Sequence, residues 1–214
     1  NFATLNPLDN YYPAMTLSEG NCYFVSGATP ETVLNATIML TTGKWYWEAK
    51  AIEDAGAYVV FQVGISGTQK TNNGAGANYL HNYLYYANNG DIQNNTSGDD
   101  GTDYGDTYGD GDVIGVGLDL DNNKLYVSKN GTWQNSGDPA AGSNGHTIAA
   151  ASATGFGGYF PTFGEYQTYT STMAVNFGNP PYANSSSVAD GAGYGAFEYI
   201  FKHYFTQVMV VLKL

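Results

Sequence analysis

GDVIGVGLDLDNNKLYVSKNG, residues 111–131, reads as a complete β-hairpin. From Ile114 onward the even positions Ile114, Val116, Leu118 and Leu120 are apolar, and Gly115, Gly117 and Asp119 between them are small or polar. A period of two predicts a strand with one face in a core and the other toward a wetter surface. Asp121, Asn122 and Asn123 supply the turn, because Asn and Asp tolerate left-handed backbone angles. Leu125 and Val127 restart the alternation, and Asn130-Gly131 closes the unit with a second turn. The hairpin assigns the chain to the all-β class.

Further strands follow on both sides of it. KWYWEAKAI (44–52) places Trp45, Trp47, Ala49 and Ala51 on one face and Tyr46, Glu48 and Lys50 on the other. Residues 58–65 place Val59, Phe61, Val63 and Ile65 on one face. Shorter strands are expected at 21–25, 36–40, 83–87, 159–163 and 173–177, with polar or glycine-rich loops at 66–78, 94–112, 132–146 and 164–172. About ten short strands separated by turns point to a two-sheet sandwich. Residues 1–20 read as an extended lead-in, 21–183 as the sandwich, 184–198 as a small, polar linker, and 199–214 as an apolar C-terminal tail. An apolar edge such as VMVVLKL has to be covered, which makes that tail a candidate assembly element and implies a homo-oligomer or a larger assembly.

Composition narrows the function classes. The chain has 214 residues, 28 of them Gly and 19 Tyr, and carries a formal net charge of -12. All seven basic residues are Lys, scattered without a patch, which argues against nucleic-acid binding and against an anionic membrane surface. No apolar run reaches the ~20 residues of a membrane-spanning helix, and no basic-then-apolar signal pattern opens the sequence. Cys22 is the only cysteine, so no disulfide can form within these residues.

The residues now support a family resemblance. GKWYWEAK (43–50) is similar to the early Gly-x-x-Tyr-Trp-Glu strand of SPRY domains, and VGIS (63–66) to the core strand that follows it. GDVIGVGLDLDNNKLYVSKNGT (111–132) resembles the family's central hairpin nearly throughout, and YFPTFG (159–164) with VNFG (175–178) resembles its closing strands. Together these span roughly 36–182. The opening ATLNPLD (3–9) is similar to the start of SPRY-like modules in bacteriophage structural proteins. The resemblance implies a bent antiparallel β-sandwich of concanavalin-like jelly-roll type, loops that form a binding face, and no enzymatic activity. The segment after Phe197 departs from the family pattern, and so does the acidic stretch 99–112.

Asp99, Asp100, Asp103, Asp106, Asp110 and Asp112 offer the hard oxygens that calcium prefers, with Asp106, Asp110 and Asp112 the nearest to a site. Tyr108 stands where an EF-hand loop needs its second ligand and no Glu follows at the right distance, so a solvated acidic loop with no cofactor is the expectation. Glu48 and Glu165 are the carboxylates a hydrolase could pair, His81, His146 and His203 lack metal-ligand spacing, and no nucleophile signature is present. Tyr79, Tyr104, Tyr108, Trp133, Tyr166 and Tyr169 sit in or beside expected loops and could contact a partner or stack on sugar rings. Asn35, Asn94, Asn95, Asn130 and Asn184 match the glycosylation acceptor pattern, as an Asn- and Thr-rich chain does by chance. The expected function is a non-enzymatic bacteriophage virion protein, head-decorating or tail-associated, made in the host cytoplasm. Its loops would bind another virion protein or a host surface glycan. The alternatives are a cellular SPRY peptide-recognition adaptor and a secreted lectin or polysaccharide-degrading enzyme.

Overall fold

A computed structural model describes residues 2–9, 15–27, 32–54, 61–68, 80–94, 101–165, 169–185, 189 and 195–199. Fourteen strands run through them: β1 (Thr16–Ser18), β2 (Tyr23–Val25), β3 (Thr32–Asn35), β4 (Lys44–Asp54), β5 (Phe61–Ser66), β6 (Asn82–Tyr86), β7 (Asp91–Asn94), β8 (Thr102–Asp103), β9 (Val113–Asp119), β10 (Lys124–Lys129), β11 (Thr132–Trp133), β12 (His146–Thr147), β13 (Phe160–Glu165) and β14 (Ser171–Asn176). Among the described residues, helical structure is confined to the short 3-10 turns Pro7–Asp9, Glu19–Asn21, Gln134–Ser136 and Ala151–Ala153.

The strands form two antiparallel sheets. One is ordered β1-β2-β14-β4-β9-β10-β11, with β12 also paired to β10, and the other β3-β13-β5-β6-β7-β8. The alternating apolar residues close the space between them. Trp47, Ile114, Val116, Leu118, Leu125, Val127 and Val175 from the first sheet meet Val63, Ile65, Tyr85 and Phe163 from the second in one buried cluster. Each fully buried aliphatic or Phe side chain there contributes about 1.5–3 kcal/mol. The two-sheet β-sandwich expected from the alternation is the observed fold.

The hairpin lies where its pattern put it, with Leu118 opposite Leu125 and Val116 opposite Val127. Its second face differs from expectation: every position of β9 is buried, Gly115, Gly117 and Asp119 included. The register explains why those positions are small. Tyr46, Gly117 and Tyr126 lie in one row across β4, β9 and β10, and Asn176, Glu48, Gly115 and Ser128 in the next row across β14, β4, β9 and β10. The glycines floor a trough that rings and polar groups fill from outside. A Cβ at Gly115 would collide with the hydroxyls of Tyr46 and Ser128.

Two further expectations change. Residues 36–40 do not form a strand. The chain pairs at 32–35 instead, and Ala36 and Leu40 make only isolated bridges, to Leu5 and Tyr159. The amides of Ala36 and Leu40 are satisfied by the carbonyls of Pro161 and Tyr159, while Thr37 N–H turns away to Thr4 O. The stretch 94–112, expected to be loop throughout, contributes β8 and two buried tyrosines. The lead-in 1–20 supplies β1, the 3-10 turn Pro7–Asp9 and the start of the turn Glu19–Asn21. Within 184–198 the chain supplies Phe197, fully buried, and Glu198, nearly so. Of the tail 199–214 only Tyr199 lies within the described residues.

Candidate functional site

The loops gather at two ends of the sandwich. Phe160, Ser66 and Asn82 stand side by side where β13 begins, β5 ends and β6 begins. The β9–β10 turn reaches the same end, because Ile148 N–H bonds Asn123 O and Ala149 N–H bonds the Tyr83 hydroxyl. This end therefore collects residues 36–43, 67–68, 80–81, 120–123 and 148–159. Among the described residues it carries two of the three exposed large apolar side chains. Met39 and Leu80 are exposed at 40% and 47%. Phe156 and Phe160 are half-buried and meet edge to face, their ring centroids 5.3 Å apart. The segments bind one another: Phe156 N–H donates to Gly67 O, the Thr68 hydroxyl to Leu80 O, and Gly158 packs beside the Met39 side chain. Leu8, at 93% the most exposed large apolar side chain described, lies in the 3-10 turn Pro7–Asp9, which Asn35 Nδ2 ties to edge strand β3 by donating to Asp9.

The aromatic residues singled out in the sequence do not converge on that surface. Tyr104 and Tyr108 are buried, which corrects their reading as contact residues. Tyr108 stacks on Tyr85 at 5.4 Å, and its hydroxyl donates to the carbonyls of Phe61 and Tyr85, both at 3.1 Å. Tyr104 meets Tyr85 and His146 edge-on, and its hydroxyl is directed at Leu125 O. Burial raises both phenols above their ordinary range. Trp133 is half-buried at the edge of the first sheet, edge-on to Tyr126 at 6.1 Å. Tyr169 is half-buried and leads into β14, which three strands, β4, β9 and β10, separate from β11. Tyr79 and Tyr166 lie outside the described residues.

The acidic stretch is tied into the protein's own backbone. Asp112 accepts from Gly109 N–H (2.9 Å) and Asn130 Nδ2 (2.7 Å) and pairs with Lys129 (3.3 Å). Burial works to raise its carboxyl, but these donors outweigh it and hold Asp112 below its ordinary value. Asp106 and Asp110 are exposed, and Asp99 and Asp100 lie outside the described residues. Among the described residues no three of His, Cys, Asp and Glu cluster as a metal ion would need.

Glu48 and Glu165 stand on different sheets, β4 and β13. Glu48 is the more unusual of the two. Expected on a polar face, it is completely buried. Its Oε1 accepts from the Tyr46 hydroxyl (3.1 Å) and Tyr199 N–H (2.8 Å), and its Oε2 from Asn176 Nδ2 (3.0 Å) and Glu198 N–H (2.9 Å). Burial raises its carboxyl to about 7, against those four donors. The sequence carried no signal for this cluster, because two of its donors are backbone groups 150 or more positions away. Met39, Leu80 and Phe156 carry no sequence signal either, since single apolar residues in loops have no periodicity.

A sequence model of the SPRY domain family matches residues 44–180. Among solved structures, the SPRY domain of human HERC1 superposes with a TM-score of 0.58 at 15% identity, covering 80% of this chain and 96% of that one. A second human SPRY domain gives 0.52 at 18% identity, covering 79% and 96%. These similarities concern the fold. A comparison with curated proteins finds no match.

Proposed function

Because the chain belongs to the SPRY domain family, a family of generally non-catalytic interaction modules, we propose that it binds another protein through the apolar loop end around Met39, Leu80, Phe156 and Phe160. The observation that carries this reading is the convergence there of two exposed large apolar side chains with a half-buried aromatic pair, held in place by bonds between three separate segments. Apolar side chains on a rigid rim are what a protein partner buries. The module works without a cofactor. The partner is another protein of a bacteriophage virion, and the chain acts there as a head or tail component. Support for that placement is the similarity of 3–9 to the opening of phage-encoded modules, together with a Gly-, Asn-, Thr- and Tyr-rich composition poor in charge. A host surface glycan is the competing ligand, and the burial of Tyr104 and Tyr108 removes two of the six rings proposed to stack on it.

Photo-crosslinking tests the reading. A benzophenone side chain at Met39 or Leu80 is expected to capture a virion protein in assembled particles, and one at Leu8 to capture it far less. Crosslinks from Leu8 alone, or glycan-array binding that survives loss of Met39 and Leu80, would count against it.

A further inference from the structure

Charge is divided unevenly between the two ends of the sandwich. The chain has 19 acidic residues and a net charge of -12, yet the described segments of the apolar loop end hold a single carboxylate, Asp121, which accepts from Gly43 N–H at 2.9 Å. The sequence joining 68 to 80 contains Lys70 and no carboxylate. Lys44 and Lys124 flank this end, and both are engaged. Lys44 pairs with the buried Asp119 at 3.4 Å, and Lys124 donates to the Thr147 hydroxyl at 2.8 Å. What the end exposes around Met39 and Leu80 is small and neutral, as at Thr41, Thr42, Ala150 and Ala153.

The opposite end is acidic. Strand β9 starts at Val113, directly after Asp110 and Asp112, and finishes at Asp119 beside the loop end. Glu53 lies on β4 beyond Lys50, the residue that faces Val113. Asp106 lies there too, because Lys129, the last residue of β10, donates to the neighbouring Thr107 O. Glu53, Asp106 and Asp110 are all exposed. The seven residues of β9, at about 3.3 Å each, put about 23 Å between the two ends. That is about three screening lengths, each about 8 Å at physiological ionic strength. The field of the acidic end therefore fades before it reaches Met39 and Leu80.

Resting on the reading of the loop end as the protein-binding surface, we propose that its partner is an uncharged, apolar segment of another protein, bound without electrostatic steering. A cationic side chain buried here would lose its hydration with Asp121 as its one carboxylate counter-charge among the described residues of this end. An anionic one would meet Lys44 and Lys124 already engaged. An aliphatic or aromatic side chain gives up no hydrogen bonds on entry, and it gains contact with the Met39 thioether, Leu80 and the Phe156–Phe160 pair. Basic segments are drawn to the acidic end instead.

A random-peptide display library selected on the intact chain, and counter-screened on Met39→Asp/Leu80→Asp, tests this. Peptides that bind the chain and lose the double variant are expected to carry Leu, Ile, Met or Phe and no recurring Asp, Glu, Lys or Arg. Their affinity is expected to change less than about twofold between about 0.05 M and about 0.5 M NaCl. Asp106→Lys/Asp110→Lys, at the far end, is expected to leave it unchanged. Peptides that depend on Met39 and Leu80 but share charged residues, or weaken about fivefold or more across that salt range, overturn the assigned partner chemistry and leave the surface standing. Peptides that bind the double variant as well as the wild type, or a selection with no binder dependent on Met39 and Leu80, overturn the surface and the assignment together.

Discussion

Tyr108 shows how one residue can be read correctly as an aromatic and wrongly as a contact. Its neighbours in sequence are Gly, Asp and Thr, which say loop. Nothing local reveals that the ring reaches inward to Tyr85 and that its hydroxyl spans the carbonyls of Phe61 and Tyr85. Those bonds depend on pairing across more than twenty residues, and hydrophobic period carries no information about it. Tyr108→Phe should therefore cost about 0.5–1.5 kcal/mol of stability, since the hydroxyl's bonding is lost while Phe61 O keeps the Ala87 N–H. Urea denaturation measures this, and an unchanged midpoint would mean that the hydroxyl is not used as described. Partner binding should be unaffected. Glu48 makes the same point in reverse: alternation put it on the correct side of β4, but only the returning C-terminal segment makes that side an interior.

At the scale of elements, the sequence was most informative where alternating or short apolar stretches are bounded by turn residues. β4, β5, β9, β10, β13 and β14 all overlap stretches expected to be strands. The exchange of 36–40 for β3 at 32–35 came from backbone bonding that composition does not encode, since Ala36 and Leu40 pair at single points. The β9–β10 turn has a cap that the Asn and Asp content hinted at. The Asp119 carboxylate, fully buried, accepts from the backbone amides of Asp121 and Asn122 (both 3.1 Å) and from Asn122 Nδ2 (2.8 Å), and it faces Lys44 at 3.4 Å. Asp119→Asn should lower stability by about 1.5–3 kcal/mol, because charge-assisted bonds to a buried acceptor are weakened together. Thermal unfolding checks it; a loss below about 0.5 kcal/mol would reduce the cap to an ordinary surface turn.

At the scale of the molecule, two sheets with both faces of β9 covered leave the loop ends as the places where sequence can vary without cost to the core. The fold was legible because alternation and turn chemistry agree along most of the chain. The proposed binding surface was not, because it is assembled from Met39, Leu80, Phe156 and Phe160 on segments that meet only once the sandwich closes. The most direct test is the equilibrium affinity of the crosslinked partner for the wild-type chain and for Met39→Asp/Leu80→Asp. The account predicts binding weakened about tenfold or more with an unchanged unfolding midpoint, since both side chains are exposed. Equal affinity for the two proteins would contradict it.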